Sequence, residues 1–299
     1  MDTFSIMSFG SVNRGDNDEF SDRDILVVTP NDPEFDHNIY SHLIKSEYSI
    51  SYYNYEKLTY LSINGNLFIE HLRKSGEILY DSSKRLSKIL DNFKPLESYE
   101  LKLSGAYKAS SMFSTIPSNE IAGGWICDNL YVFIRNILVY KSAVDNSFRF
   151  GYKEIIEDYK EELELDISDI DALHEIRITK QKYRDKPHFL KVSNNKIRQY
   201  FDVAGKISRQ IKYEFMSTSR FDRVVRSRLD DQNLSSYEKL RSLEGLYNCY
   251  GNNIEILSDV FSKPQFYIYK AKKERNLLFW YRLISDRKNS PNTAAPPLS

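Results

Sequence analysis

Two short apolar runs near the start of the chain are joined by a stretch of glycine, serine and acidic residues. The first run is Phe4 to Phe9 and stops at Gly10, and the second is Ile25 to Val28 and stops before Thr29-Pro30. Apolar runs of this length that end at turn-forming residues are typical of buried strands. The sequence therefore predicts two neighbouring strands of one sheet, with a tight turn at Gly10.

The entry to the second strand carries two alternating carboxylates, Asp22 and Asp24. Side chains two residues apart in a strand point to the same face, so we expect these acids to converge. Converging carboxylates repel each other unless a cation lies between them, and their hard oxygen ligands favour Mg²⁺. Gly10 lets the backbone approach a triphosphate, and Ser11 offers a hydroxyl and an amide to its oxygens. The stretch predicts a nucleotide held by its phosphates, with Mg²⁺ shared with the acids, which suits in-line nucleotidyl transfer.

The pattern G-S, R-G-D and S-D-x-D before an apolar strand resembles the nucleotidyltransferase superfamily related to DNA polymerase β. It is most similar to the prokaryotic branch of minimal nucleotidyltransferases and antibiotic adenylyltransferases. The resemblance implies that Gly10 and Ser11 hold the triphosphate, that Asp22 and Asp24 bind the catalytic metals, and that ATP is the favoured NTP. The other positions that match the branch are Arg14, Gly15 and Ser21.

Active members of this superfamily usually carry a third acidic residue on a later strand. The run from Glu47 to Tyr53 predicts that strand, but Ser49 and Ser51 are at the expected position, and Glu47 lies early. The remaining candidate acids, on predicted helices, are Glu56 and Glu70. Without a third acid, a second Mg²⁺ and deprotonation of the acceptor lose support. A nucleotide-binding regulatory or antitoxin-like protein with little or no turnover is therefore the alternative.

Helical patterns dominate from about residue 96. The predicted helices cover 96–115, 119–144, 152–164, 168–184, 194–217, 235–261 and 263–284, after shorter ones at 36–47 and 55–62. We predict an α+β fold with three parts: a mixed-sheet nucleotidyltransferase domain over 1–95, an all-α domain over 96–285 and a disordered tail over 286–299. By position, residues 96–186 correspond to the helical domain that shapes the acceptor side of the cleft in relatives.

The passage G-x-L-F-x-x-H-L to I-L-Y-D, over residues 65–81, predicts a helix, a turn and an edge strand, and it also resembles the end of the domain in the same branch. A single histidine such as His71 on an apolar helix is more often a hydrogen-bonded structural residue than a ligand or base. For the same kind of reason, we interpret Asp81 as a cap of the following helix.

Basic residues are concentrated in the last third of a chain that has 42 Lys and Arg and 42 Asp and Glu. Residues 191–228 hold ten Lys or Arg against three acids. A solvated face is the ordinary explanation, and an acidic protein or nucleic-acid partner is the other. The candidate contacts to phosphate or to a partner elsewhere are Arg135, Arg177, Lys180 and Arg184.

Cys127 and Cys249 lie far apart, no signal-like segment starts the chain, and no apolar run approaches the roughly 20 residues of a membrane span. These features predict reduced, buried thiols in a cytoplasmic protein without a membrane partner. The acceptor stays open among a small molecule, a protein side chain, an RNA end and a second nucleotide, because acceptor choice depends on cleft shape.

Overall fold

The computed structural model describes residues 4–15, 23–30, 48–185, 190–250, 257, 261 and 275–286. Within them the predicted α+β fold is confirmed, with an N-terminal four-stranded mixed sheet followed by a mainly helical region. The strands are β1 (Ser5–Phe9), β2 (Arg23–Thr29), β3 (Tyr48–Asn54), β4 (Glu77–Asp81), β5 (Ile116–Pro117) and β6 (Phe215–Met216).

Two helices of the N-terminal region begin at asparagines whose side chains bond free amides of the first turn. Asn54 accepts from Lys57 N at 2.6 Å and Asn66 accepts from Phe68 N at 2.9 Å, so both act as helix caps. The first helices are α1 (Ser11–Arg14), α2 (Tyr55–Ile63), α3 (Leu67–Ser75) and α4 (Arg85–Asp91). The later ones are α5 (Glu100–Ser110), α6 (Gly123–Val144), α7 (Tyr152–Tyr159), α8 (Ile167–Asp185), α9 (Asn194–Ile207), α10 (Thr218–Asp230), α11 (Ser236–Tyr250) and α12 (Arg275–Asp286).

The sheet has the order β3-β2-β1-β4, in which β2 and β3 are parallel and the other pairs are antiparallel. Phe9 at the end of β1 pairs with Asp24, and Asp24 pairs on its other side with Ser49 of β3. Paired residues share a face of the sheet, so Asp24 and Ser49 project to the same side as Phe9.

That face of the sheet is covered by helices α2, α3 and α4. Met7, Phe9, Leu26 and Val28 from the strands pack with side chains from the three helices. The helical members of this core are Tyr55, Leu58, Ile69, Leu72, Leu86 and Leu90. Burial of these apolar side chains, at about 25 cal/mol per Å², fixes the sheet register and with it the neighbours of Asp24.

The described chain divides into two compact units. Unit 1 comprises Met1–Leu103 and Val139–Asp158, and unit 2 comprises Ser104–Leu138 and Tyr159–Ser299. Unit 1 thus includes residues 139–158, which the predicted boundary at 95 assigned to the helical domain. The physical reason is a contact network around Phe148, whose carbonyl accepts from Lys74 Nζ at 3.4 Å and whose ring meets Tyr99 at 5.9 Å.

A buried ionic cluster joins α6, α8 and α11 inside unit 2. Asp128 accepts hydrogen bonds from Arg184 and Arg241, and both arginines also donate to Glu244. All four side chains are 12% exposed or less. Burial raises the pKa of the Asp128 carboxyl, but the two guanidinium groups outweigh it and hold that pKa well below its usual range. The cluster therefore brings two acidic and two basic side chains together in the interior of unit 2, with the Asp128 carboxyl ionised.

Two predictions for the helical region are corrected by the structure. The predicted helix 194–217 ends at Ile207, and a second helix, α10, begins at Thr218. Between them β6 pairs in parallel with β5, so the region predicted to be all-α also holds a two-stranded sheet. The predicted tail over 286–299 begins at Asp286, which the structure places at the end of α12. The predicted helix over 36–47 and residues 287–299 of the predicted tail lie outside the described residues.

Among the helices that the structure describes, none combines the length and the apolar character needed to cross a bilayer. Cys127 and Cys249 are both buried free cysteines, as predicted from their distance in the sequence.

Candidate nucleotide-binding site

The turn after β1 adopts a backbone conformation that only glycine occupies readily. Gly10 has φ 95° and ψ −155°, and Gly15 ends the short helix α1 in the left-handed region at φ 75°. Arg14 N donates to Gly10 O at 3.2 Å, and the Asn13 side chain donates to Ser8 Oγ at 2.9 Å. These bonds fix Ser11 at the first position of α1, directly after the turn.

Gly10 lies against the carboxylate of Asp24. A Cβ atom at position 10 would be only 2.6 Å from Asp24 Oδ2, which is closer than any real Cβ contact. The register explains this approach, because Phe9, the residue before Gly10, pairs with Asp24 across the β1–β2 ladder. The glycine thus leaves the space that the Asp24 carboxylate occupies, and a hard oxygen ligand of the kind Mg²⁺ prefers lies directly against the backbone of the turn.

The neighbour of Asp24 on β3 is a serine. Ser49 pairs with Asp24 and Ser51 pairs with Leu26, and the whole of β3, Tyr48–Asn54, contains no acidic residue. Across the part of the chain that the structure describes, no group of three or more His, Cys, Asp or Glu side chains could hold a metal ion. On β3, therefore, the residue beside Asp24 carries a hydroxyl group and no carboxylate.

The other acids considered for that role have different surroundings. Glu70 is 8% exposed and accepts from Arg73 Nη1 at 2.7 Å, and Glu56 is exposed on α2. Glu47 lies outside the described residues, as do Ser21 and Asp22. The placement of Asp22 on the same face as Asp24 stays a prediction from the S-D-x-D spacing.

Asp81 has a structural environment at the other end of β1. Its carboxylate accepts from Ser5 Oγ, from Ser87 Oγ at 2.7 Å and from Ser87 N at 2.8 Å in the first turn of α4. Partial burial raises the pKa of this carboxyl, but the hydrogen bonds from Ser87 and Ser5 outweigh it and lower the pKa. Asp81 thus bonds to the first turn of α4, as predicted, and takes no part in the Gly10 turn.

His71 contacts the turn from α3. Its Nε2 lies 3.0 Å from Arg14 Nη1, and its ring meets the Phe9 ring edge-on at 5.7 Å. The opposite side of the imidazole stacks on Phe150, with centroids 4.8 Å apart. Sequence reasoning assigned His71 a general structural role and missed its contact with Arg14. The signal available was its place in the G-x-L-F-x-x-H-L passage.

Three of the basic side chains predicted to contact phosphate or a partner lie on α8, and the fourth lies on α6. Arg184 is bonded to Asp128 and Glu244, so we assign it to the buried cluster instead of to a partner surface. Lys180 lies over the Tyr131 ring at 5.6 Å. Arg177 and Arg135 are both half-buried in unit 2 and both make polar contacts there. None of these four side chains is grouped with the Gly10 turn in the same compact unit.

Several cations in residues 191–228 are matched by acids of unit 2. Lys196 pairs with Glu175 and Lys206 with Asp169, each at 2.6 Å. Arg220 pairs with Glu214 at 3.2 Å, and burial lowers the pKa of the Arg228 guanidinium. The exposed basic side chains of this stretch include Arg209, Lys212, Arg223 and Arg226.

Comparison with known proteins bears on the N-terminal part of the chain. Residues 3–106 match the family model described as "Nucleotidyltransferase domain". The match spans β1 to β4 and therefore includes Gly10, Asp24, Ser49 and His71. It confirms the resemblance to the polymerase β-like superfamily that the G-S and S-D-x-D pattern indicated. The search among curated proteins gave no match.

Proposed function

On the premise that residues 3–106 are a nucleotidyltransferase domain, we propose that the protein moves an NMP group from an NTP to an acceptor hydroxyl. In this reaction the acceptor oxygen forms a bond to the α-phosphorus and the bond from that phosphorus to the pyrophosphate oxygen breaks. The hydroxyl proton is lost to solvent or to a base, and pyrophosphate leaves. The resemblance of the motif favours ATP as the donor and AMP as the transferred group.

Each residue of the turn has a role in this proposal. Gly10 and Ser11 present backbone amides and a hydroxyl to the triphosphate, with Ser21 nearby in sequence, and Arg14 supplies positive charge to the phosphates. Asp24, together with Asp22, would hold Mg²⁺. The residues fit this ion because carboxylate and phosphate oxygens are its preferred ligands. When bound, Mg²⁺ neutralises charge on the phosphates and on the leaving pyrophosphate.

The observation that carries the proposal is the approach of Gly10 to Asp24. The 2.6 Å distance from an ideal Cβ at position 10 to Asp24 Oδ2 means that the carboxylate packs directly against the backbone of the turn. A triphosphate held on the Gly10 turn would therefore lie next to a hard oxygen ligand for Mg²⁺.

Release of pyrophosphate from each of the four NTPs in the presence of Mg²⁺ tests the proposal. We expect Asp24→Ala and Asp22→Ala each to lower the rate by about 100-fold or more, because a group that stabilises transition-state charge is lost. Asp91→Ala, which removes an exposed carboxylate from α4, is the matched control and should leave the rate unchanged. Equal activity of the wild type and the Asp24 variant would exclude this site.

The pairing of Asp24 with Ser49 favours a second function. In this alternative the domain binds NTP with little turnover and regulates a protein or nucleic-acid partner that is bound by the basic helical region. Calorimetry with ATP and Mg²⁺ distinguishes the two functions. Tight binding of ATP without release of pyrophosphate over hours supports regulation. A rate of pyrophosphate release that rises with the fraction of protein bound to ATP supports transfer. Ser49→Asp adds the expected third acid and should raise turnover if its absence limits the reaction.

A further inference from the structure

The contact between His71 and Arg14 joins two residues that are 57 positions apart in the sequence. Arg14 stands one helical turn after Gly10, and its backbone amide donates to the Gly10 carbonyl. Phe9, directly before Gly10, packs edge-on against the same imidazole. His71 therefore contacts the chain on both sides of the turn that the proposed function assigns to the triphosphate.

The chemistry of this hydrogen bond fixes the state of the imidazole. A guanidinium has five N–H donors and no acceptor, so His71 Nε2 must accept the bond. The ring is then neutral and carries its proton on Nδ1. The bond to His71 uses one of the five N–H donors of the guanidinium.

A neutral acceptor has an advantage over a carboxylate at this position. An Asp or Glu at position 71 would orient Arg14 more strongly, but it would add a negative charge that repels a triphosphate. An imidazole orients the guanidinium without adding that charge. The ring itself packs against Phe150, stacked at 4.8 Å, and against Phe9, edge-on at 5.7 Å, which restricts its orientation.

We propose that His71 is a positioning residue for nucleotide binding, which holds the Arg14 guanidinium ready for the phosphates of the NTP. This inference rests on the proposed function for the Gly10 turn. It assigns His71 no proton transfer and no contact with the reacting atoms. Its consequence is that affinity for the triphosphate depends on a neutral hydrogen-bond acceptor at position 71.

Four substitutions of His71 distinguish the effect of the hydrogen-bond acceptor from the effect of the aromatic ring. His71→Phe keeps an aromatic ring between Phe9 and Phe150 but removes Nε2, whereas His71→Gln keeps a neutral acceptor and loses the ring. His71→Ala removes both, and His71→Glu supplies a charged acceptor. Each is compared by calorimetry with α,β-methylene ATP and Mg²⁺, which gives binding without turnover, and by thermal unfolding.

We expect His71→Phe and His71→Ala to weaken binding about tenfold, since a hydrogen bond to a charged group contributes roughly 1.5–3 kcal/mol. His71→Gln should bind within about threefold of wild type, and His71→Glu should bind at least as weakly as His71→Ala because it neutralises Arg14. Where NTP turnover is measurable, KM should rise while kcat changes little. In an Arg14→Ala background, further loss of His71 should have no effect on affinity.

The outcomes separate this inference from the proposed function. If His71→Phe binds as wild type does, or if the effects of Arg14→Ala and His71→Ala are additive, the positioning role is excluded while nucleotide binding stands. If the ring matters and the acceptor does not, so that only His71→Phe retains affinity, His71 is structural. If the wild type binds no nucleotide, the proposed function fails first, and the positioning role fails with it.

Discussion

Gly10 has no side chain, and a methyl group added there would collide with Asp24 at the turn that we propose to hold a phosphate. We expect Gly10→Ala to destabilise the protein by about 1–3 kcal/mol, because its φ of 95° and ψ of −155° belong to a region that is almost exclusive to glycine. Its new Cβ would also push Asp24 Oδ2 from its place. Since a displacement of about 1 Å can cost 100-fold in rate, NTP turnover should fall by about that factor.

Gly15→Ala is the matched control for this change. Gly15 also has positive φ, at 75°, but an added Cβ would have no atom within 4 Å. It should therefore lose about 1 kcal/mol of stability with nucleotide affinity preserved. Urea unfolding gives both stabilities and calorimetry gives both affinities. Equal effects of the two substitutions on ATP binding would show that the Gly10–Asp24 contact has no part in it.

Individual residues were predictable where the chemistry depends on near neighbours in sequence. The turn at Gly10 and the strand that carries Asp24 could be predicted because they lie within fifteen residues of each other. The roles of Gly10, Ser11 and Asp24 in binding stay predictions. The third strand was also predicted, and its register places Ser49 beside Asp24. The Arg14–His71 bond could not be predicted, because it depends on how α3 packs on the sheet.

At the scale of elements, the ionic cluster of unit 2 ties α6, α8 and α11 together. We expect Arg241→Met to destabilise unit 2 by about 3–5 kcal/mol, because Asp128 and Glu244 would then share one buried guanidinium, that of Arg184. Methionine fills a similar volume, so loss of charge is the main change. Both tryptophans of the chain, Trp125 and Trp280, lie in unit 2, so their fluorescence during urea unfolding reports on it.

Arg220→Met provides the comparison, since Arg220 is 57% exposed and its ion pair with Glu214 faces solvent. Its stability should stay within about 0.5 kcal/mol of the wild type. If Arg241→Met unfolds at the same urea concentration as Arg220→Met, the buried cluster contributes nothing to stability.

Element boundaries were predictable where apolar spacing and capping agreed. The strands β1 to β4 and helix α6 were found by their apolar runs, whereas α9 was predicted too long because the apolar positions Ile211 and Phe215 continue its helical spacing. The missed signal was Ser217, whose side chain caps α10 by accepting from Arg220 N. Phe221, Val225 and Leu229 then repeat every four residues and are buried. Pairing of Phe215–Met216 with β5 depends on residues a hundred positions away.

On the scale of the whole molecule, equal numbers of acidic and basic residues give no general attraction to polyanions. Residues 191–228 have a local excess of basic residues. However, three of their ten cations are ion-paired, and Arg228 is partly buried. The other six cations of the stretch are exposed and are the ones most able to meet phosphates: Lys191, Arg198, Arg209, Lys212, Arg223 and Arg226. This arrangement limits how strongly the helical region can bind a nucleic acid.

We therefore expect a labelled single-stranded RNA to bind weakly, with log K falling against log salt concentration at a slope no steeper than about −4, since each neutralised phosphate contributes roughly −0.7. Arg223→Gln with Arg226→Gln should reduce that slope by about 1.4, because two phosphate contacts are lost. Lys196→Gln with Lys206→Gln removes cations that already pair with Glu175 and Asp169, and it should leave the slope nearly unchanged. Fluorescence anisotropy from low to physiological salt gives all three slopes. A steeper wild-type slope, or an equal reduction by both double variants, would show that the ion-paired lysines also bind phosphate, and no binding even at low salt would identify the exposed arginines as a solvated face.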